Sequence, residues 1–501
     1  MSKRHHCLYF HAVPELKKSC PEVEKNGEYS STKMLYNPET QPIFHISDPV
    51  YETSIEIPLI LKPLIDSVPF QRLRGIKQLG VTEFVYPGAT HTRFSHSIGT
   101  FHVASCFMTQ LRHKYPKKVS GTDHLCVCIA ALCHDLGHGP FSHMFEHVWE
   151  DMHYRHEDMS ITLFDYVMKQ LKDENAPLMD YLNETDLQFI REAINPPKGD
   201  PNDIWSMKGR PEEKAFLYDL VNNTRSGFDV DKMDYILRDS KHVNIGTRFR
   251  LCALERIIQN AVILEQNGRS EICFNFSVYH DIKALFEDRE MMHQCVYQHQ
   301  KSLAIEFEYQ EALRLAGPHL MIPGTDGRAV ALKDSTSDIE AFLKLDNSVV
   351  KLISMSFDPN LKAVTERLNR VQTRQLMPCV ALIETVNDTQ GKTESKLMTY
   401  LSKKLPPDFI DKFRTKKCSF HGGLGVGQDP MSMIKFIGRN GRVRYVPTEW
   451  HHSTWLYVYL DYETSKNEAN YNSVLTVLDD FCEDERMYCG TKLMFRHEIL
   501  N

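Results

Sequence analysis

Leu132-Cys133-His134-Asp135-Leu136-Gly137-His138-Gly139-Pro140-Phe141-Ser142-His143 is the stretch where an apolar run ends in dense polar chemistry. The residues leading into it, Leu125 to Cys133, are strongly apolar, so the spacing predicts a buried helix that delivers His134 and Asp135 at its end. Imidazole and carboxylate suit borderline and hard divalent cations, and neighbouring positions near a helix end can face one ion. The dyad alone is weak. It gains weight from His96 in Arg93-Phe94-Ser95-His96-Ser97 upstream and Asp231 in Asp229-Val230-Asp231-Lys232 downstream, which offer a third and a fourth ligand. His134, His138, His143, His147, His153 and His156 also crowd one short span, far more densely than 24 histidines spread over 501 residues. His147 and His153 read as ordinary surface or core histidines.

Around this centre the chain has the texture of a soluble globular protein, with 42% hydrophobic and 25% charged residues. Its length suits two or three domains. A net charge of -7 argues against a nucleic-acid coat, so a polyanionic substrate would need local Arg, Lys or metal. No apolar run approaches the roughly 20 residues of a membrane-spanning helix, and Met1 to His6 lead into no signal-like stretch. Thirteen cysteines without Cys-x-x-Cys spacing fit reduced thiols. The expected compartment is cytoplasmic or nuclear, with no secretion and no membrane contact.

Residues 1–40 are polar and aperiodic and are expected to form a flexible leader. Residues 41–330 read as a helical core, from helical spacing over Ile57 to Ile65, Phe94 to Leu111, Leu125 to Asp135, Ile161 to Leu171 and Ile282 to Leu315. Residues 331–501 read as a helical extension and an α+β lobe. Asn440-Gly441 between Met433–Ile437 and Arg442–Val446 signals a hairpin, and Thr454 to Leu460 a further strand. The glycine run His421 to Gly427 lacks the Gly-Lys-Ser/Thr ending of a phosphate loop and is expected to be a connector. The expected class is mainly α with a smaller α+β C-terminal lobe.

The order His96, His134-Asp135, Asp231 resembles the H…HD…D signature of the HD-domain phosphohydrolases, an all-helical, metal-dependent superfamily. Phe70 to Gly80, Arg93 to Gly99, Cys133 to Phe145, Lys208-Gly209-Arg210-Pro211 and Asp229 to Tyr235 are similar to its animal branch of sterile-alpha-motif and HD-domain deoxynucleoside triphosphate triphosphohydrolases. The resemblance covers about Asp48 to Tyr309. It implies hydrolysis of a dNTP at the α-phosphorus, giving deoxynucleoside and tripolyphosphate.

That resemblance implies roles for named residues. His96, His134, Asp135 and Asp231 would bind one divalent transition metal (Fe, Mn or Zn), with Mg accompanying the substrate triphosphate. His143 would protonate the bridging oxygen of a leaving polyphosphate, with His156 and Glu146 supporting it, although the family has Asp where this chain has Glu146. Arg93, His138, Lys232 and Arg289 would contact phosphates. Gln78 and Leu79 would line the sugar, and Tyr235, Asp239, His293, Tyr297 and Gln298 the remaining sugar and base contacts. An apolar wall at C2′ would exclude a ribose hydroxyl by burying it unpaired.

The same resemblance implies a homo-oligomer, dimer or tetramer, activated by GTP or dNTP at sites that include Asp66, Arg72, Arg256 and Arg442. Here the chain departs. It reads Asp48-Pro49-Val50-Tyr51-Glu52-Thr53 where the family has Asp-Pro-Ile-His-Gly-His, has Phe44 and Gln300 in place of lysines, and lacks basic residues over Asn275 to Asp281. Residues 1–40 are also too few and too polar for a sterile-alpha-motif domain. Two other readings stand beside the main one. One is an HD-type hydrolase of a nucleoside monophosphate or alarmone. The other is a nucleotide sensor or weak single-stranded nucleic-acid binder using Arg439, Arg442, Arg444 and Tyr445.

Overall fold

The structure, a computed structural model, describes residues 34–149, 153–197, 205–385, 392–425, 428–446, 448, 450, 452–485 and 487–489. The rest of the expected leader, residues 1–33, lies outside these. Within the expected leader, Met34 N donates to Asp180 O at 3.1 Å, and the Tyr36 ring is buried and meets Tyr181 edge-on at 5.6 Å.

The architecture is mainly α. The helix Arg93–Lys114 is its axis and packs against Gly121–Cys133 and Val230–Val243. Gly121–Cys133 begins in a capping box, in which Ser120 and Asp123 satisfy each other's backbone N–H; such caps stabilise a helix start by about 1 kcal/mol. Almost every side chain of this helix is buried, which explains its unbroken apolar character. His156–Asp173 and Glu184–Ile194 close one side, and Tyr279–Met292 and Gln300–Ala316 the other. The last two were expected as one helical run, Ile282 to Leu315. They are separated by a π turn at His293–Tyr297, a feature frequent at functional sites.

The expected helix over Ile57 to Ile65 is a strand end and a helical turn instead. Ile55 and Ile57 alternate with exposed Glu56 in the strand Thr53–Pro58, which pairs antiparallel with Ile43–Asp48. A 3-10 turn at Leu59–Leu61 leads into the single α-helical turn Lys62–Ile65, and Pro58 and Pro63 punctuate the segment. A second hairpin, Ala261–Gln266 with Arg269–Asn275, turns at Asn267-Gly268, both at positive φ (52° and 84°). That Asn-Gly pair was a readable signal of a two-residue turn.

The C-terminal lobe is α+β. Its sheet places Ser453–Leu460 between Cys379–Glu384 and Phe413–Phe420, all antiparallel, with Lys392–Lys404 and Glu468–Asp484 packed on one face. The other face packs on Leu303 and Ala304 of Gln300–Ala316, and Tyr459 Oη donates to Gln300 O at 3.1 Å. The expected hairpin at Asn440-Gly441 is present: Phe436–Ile437 pairs with Val443–Arg444 and joins the core sheet through parallel pairing with Phe274 and Asn275. Among the described residues no helix is long and apolar enough to cross a membrane.

Candidate metal centre and active site

Three helix ends converge on one point. His96 lies in the first turn of Arg93–Lys114, His134 caps the C-terminus of Gly121–Cys133, and Asp231 lies in the first turn of Val230–Val243. Asp229 caps that last helix by accepting from Lys232 N at 3.0 Å, which sets the direction of the following turn. His96 Nε2 is 3.0 Å from Asp231 Oδ1, 3.2 Å from His134 Nε2 and 3.4 Å from Asp135 Oδ2. His134 Nε2 is 3.5 Å from both Asp135 Oδ2 and Asp231 Oδ1.

These spacings, with the chemistry of the donors, test whether a metal fits. Ligand atoms each about 2.1 Å from one ion stand roughly 3.0 to 3.4 Å apart at octahedral or tetrahedral edges. The tautomers also agree. His134 Nδ1 faces Ala131 O at 2.8 Å, and a carbonyl only accepts, so Nδ1 carries the proton and the Nε2 lone pair is free. His96 Nδ1 likewise donates to Asp234 Oδ2 at 2.7 Å. Burial opposes charge on His96, yet hydrogen bonds to Asp231 and Asp234 hold its pKa up to about 10. Burial would also raise Asp135, but Arg93, His134 and His138 keep it well below the usual carboxylate range. The cluster therefore demands positive charge at its middle, which a divalent cation would supply. The residues present fit one.

Behind the ligands lies a second layer that sequence reading did not assign. Asp234 accepts from Tyr51 Oη at 2.6 Å and from both Arg238 Nε and Nη2 at 2.9 Å, and Arg238 also reaches Asp48 Oδ2 at 2.9 Å. All four side chains are buried. The turn that departs from the family sequence, Asp48 to Thr53, thus feeds Tyr51 and Asp48 into the support of His96. The spacing of Asp231 and Asp234, three apart on one helix face, was the available clue.

Beside the cluster, Glu146 Oε1 accepts from His143 Nδ1 at 3.0 Å and from His156 Nδ1 at 2.9 Å. Burial alone would push the Glu146 carboxyl up, but these two bonds hold it well below its ordinary value. His138 is fully buried, stacks on His156 at 3.9 Å between centroids, and stays neutral because burial and the Arg93 charge oppose its protonation. His138, His143, Glu146 and His156 form a second compact group of metal-capable side chains.

An open cleft of about 420 Å³ joins the two groups. Its walls include Gln78, Leu79, Arg93, Lys232, Tyr235, Asp239, Arg289, His293 and Tyr297, together with His134, Asp135, His138, His143, His156 and Asp231. Arg93 is held by Asp135 (2.6 Å) and Ser142 (3.0 Å), Lys232 by Asp229 (3.0 Å), and Arg289 by Tyr235 (3.1 Å) and His421 O (3.1 Å). Asp239 takes a bond from Tyr297 Oη and faces His91, each at 2.7 Å. Gln298 stands behind the wall, with its amide nitrogen on His293 Nδ1 at 3.3 Å. His421, expected in a connector, packs here with Gly423 and Gly425 folded onto its ring nitrogen; Val426 and Gly427 lie outside the described residues.

The four residues expected at activator sites are not brought together. Asp66 pairs with exposed Lys62 and Arg256 with Asp281 (2.6 Å), while Arg442 is exposed at the hairpin. Arg72 is buried, donating to Leu136 O (2.8 Å), His138 O (2.7 Å) and Leu345 O (2.9 Å).

The helical core that carries the cluster matches the HD-domain family model over residues 93–239. Residues 93–239 form an HD domain. Most of the chain is similar to proteins named "Deoxynucleoside triphosphate triphosphohydrolase SAMHD1": 37% identical over 372 residues to that of Danio rerio, covering 72% of this chain and 59% of the relative. The Homo sapiens protein is 36% identical over 360 residues, covering 70% and 56%. The "SAMHD1 homolog" of Dictyostelium discoideum is 32% identical over 361 residues, covering 71% and 62%. The chain thus spans less than two thirds of the length of these relatives. The matched HD segment holds His96, His134, Asp135 and Asp231, whose side chains enclose the candidate ion site.

Proposed function

We propose that this HD-domain chain is a metal-dependent hydrolase that converts deoxynucleoside triphosphates to deoxynucleoside and tripolyphosphate, thereby controlling dNTP levels. The observation that carries the reading is the joining, in one cleft, of a four-donor cation site, a His–Glu–His chain and phosphate-compatible cations. The names of the relatives support the substrate class.

The product pair fixes which bonds change. Water oxygen bonds to the α-phosphorus and the bond from that phosphorus to O5′ breaks, so the proton must reach O5′ of the deoxynucleoside. The sequence expectation of a donor at a polyphosphate bridging oxygen is corrected accordingly. His143 supplies that proton, and Glu146 steadies its imidazolium through Nδ1 while His156 shares the same carboxylate. His96, His134, Asp135 and Asp231 would hold a divalent transition metal (Fe, Mn or Zn), which when bound lowers the pKa of water and polarises a phosphoryl oxygen. Arg93, His138, Lys232 and Arg289 balance the triphosphate, which enters with Mg. Leu79 and Gln78 abut the sugar, with Tyr235, Asp239, His293, Tyr297 and Gln298 around it. A homo-oligomer and nucleotide activation through Asp66, Arg72, Arg256 and Arg442 belong to this proposal only at second order, since both terminal nitrogens of Arg72 already donate to carbonyls inside the chain.

The test is incubation of purified protein with each dNTP, with and without GTP, in Mg or Mn, resolving deoxynucleoside and tripolyphosphate. Orthophosphate or pyrophosphate as product, or turnover that persists after His134 and Asp135 are both replaced by alanine, overturns the reading. Stimulation by GTP decides activation in the same experiment.

A further inference from the structure

Glu306 lies in the Gln300–Ala316 helix, half-buried on the wall of the same cleft, and has no hydrogen bond or ion pair among the described residues. A carboxyl half-buried in a cleft wall without a protein partner has its acceptor oxygens available to a ligand that enters the cleft. Burial pushes its pKa up to about 7, opposed by the Lys416 charge on the strand Phe413–Phe420. The cations of the cleft are committed elsewhere, Arg93 to Asp135, Lys232 to Asp229 and Arg289 to Tyr235. A triphosphate cannot be the missing partner, because it would add like charge. The uncharged end of a nucleotide can: a nucleobase carries ring N–H or amino donors that a carboxyl accepts. The same cleft presents Leu79, Phe141 and Met144, apolar surface suited to a planar ring.

We propose that Glu306 is a specificity-determining residue that reads the N–H edge of the substrate nucleobase. The inference rests on the dNTP reading given above and adds the group that recognises the base. Asp239 already accepts from Tyr297, and the amide nitrogen of Gln298 already meets His293. Glu306 is free to engage a ligand.

The experiment compares kcat/KM for the four dNTPs and for the triphosphate of base-free deoxyribose, in wild type, Glu306→Ala and the isosteric Glu306→Gln, with folding followed by circular dichroism melts. The expected result is a fall of about tenfold or more in the ratio of dNTP to base-free kcat/KM for Glu306→Ala, carried by KM. Glu306→Gln, which keeps the shape and changes only the hydrogen-bonding character, is expected to reorder the four bases. Equal losses with and without a base, or an unchanged base order in both variants, overturn the inference while leaving the dNTP reading intact. Wild type that turns over no dNTP overturns that reading, and this inference with it.

Discussion

His96 Nδ1 donates to Asp234 Oδ2 at 2.7 Å, and this bond decides which ring nitrogen of His96 faces the centre. Asp234 is itself fixed by Arg238 and Tyr51 and is held well below the usual carboxylate range: burial opposes its charge, but Arg238 and His96 prevail. Removing the charge frees the imidazole to flip its tautomer. Asp234→Asn is expected to weaken metal affinity by about 10- to 100-fold, measured as metal content after dialysis against graded chelator. Full metal retention would show that His96 needs no such support.

Gly99 lies one turn beyond His96 on the same helix, where a Cβ would sit 1.9 Å from Asp234 Oδ1 and 2.2 Å from Arg238 Nη2. Neither neighbour can retreat, since both are buried and doubly bonded. Gly99→Ala is therefore expected to lower stability by on the order of 2 kcal/mol or more and to reduce metal loading together with it. A thermal melt and metal analysis on one preparation check both; an alanine variant with wild-type Tm contradicts the packing.

Arg72 joins three parts of the chain through carbonyls: Leu136 and His138 in the HD turn and Leu345 in the helical extension. Its side chain also lies over the Phe342 ring at 4.5 Å. Arg72→Met keeps apolar bulk but leaves buried acceptors unpaired, at about 1 to 3 kcal/mol each when no water reaches them. The expected outcome is a loss of roughly 3 kcal/mol in denaturant unfolding. If instead stability holds and only GTP stimulation disappears, the arginine serves a nucleotide rather than the fold.

The difference between what sequence could and could not reveal follows from the range of the forces involved. His96, His134, Asp135 and Asp231 were legible because metal ligation demands particular residue types, and those types stand out against an apolar helix such as Leu125 to Cys133. Tyr51, Asp48 and Arg238 were not, because their role exists only through contacts distant in sequence, such as Tyr51 to Asp234. The start of the expected Ile57 to Ile65 helix was misread because Ile57 and Leu61 serve either a strand or a helix until the hairpin partner is known. Glu306 was invisible for a different reason: a lone Glu within a helical polar pattern reads as solvated, and only the fold turns it toward a cleft.

Glu146 accepts from two imidazoles through one oxygen, Oε1. Glu146→Gln keeps the shape but replaces the charged carboxylate on which His143 Nδ1 and His156 Nδ1 bond. Loss of general-acid support of this kind is expected to lower kcat by about 10²- to 10⁴-fold with KM little changed. Glu146→Asp, which installs the residue of the resembled family, shortens the reach to both histidines and is expected to retain more activity than the Gln variant. Steady-state kinetics on dNTP across pH decide it; a Gln variant with wild-type kcat removes Glu146 from the proton path.

Glu306 also makes a stability prediction that is independent of turnover. Its pKa is raised by burial from 4.5 unfolded to about 7 folded, with Lys416 as the opposing charge. Below about pH 4.5 the carboxyl is neutral in both states and its contribution is fully present. As pH rises through 7 the unfolded chain has already released the proton that the fold retains, so stability from this group is lost. The group is half-buried beside an open cleft, so the effect is on the order of 1 to 3 kcal/mol. Glu306→Gln cannot ionise, so its Tm is expected to gain on wild type between about pH 5 and pH 9. Differential scanning fluorimetry in metal-supplemented buffers measures the gap, and a pH-independent difference would mean that Glu306 is solvated as an ordinary surface carboxylate.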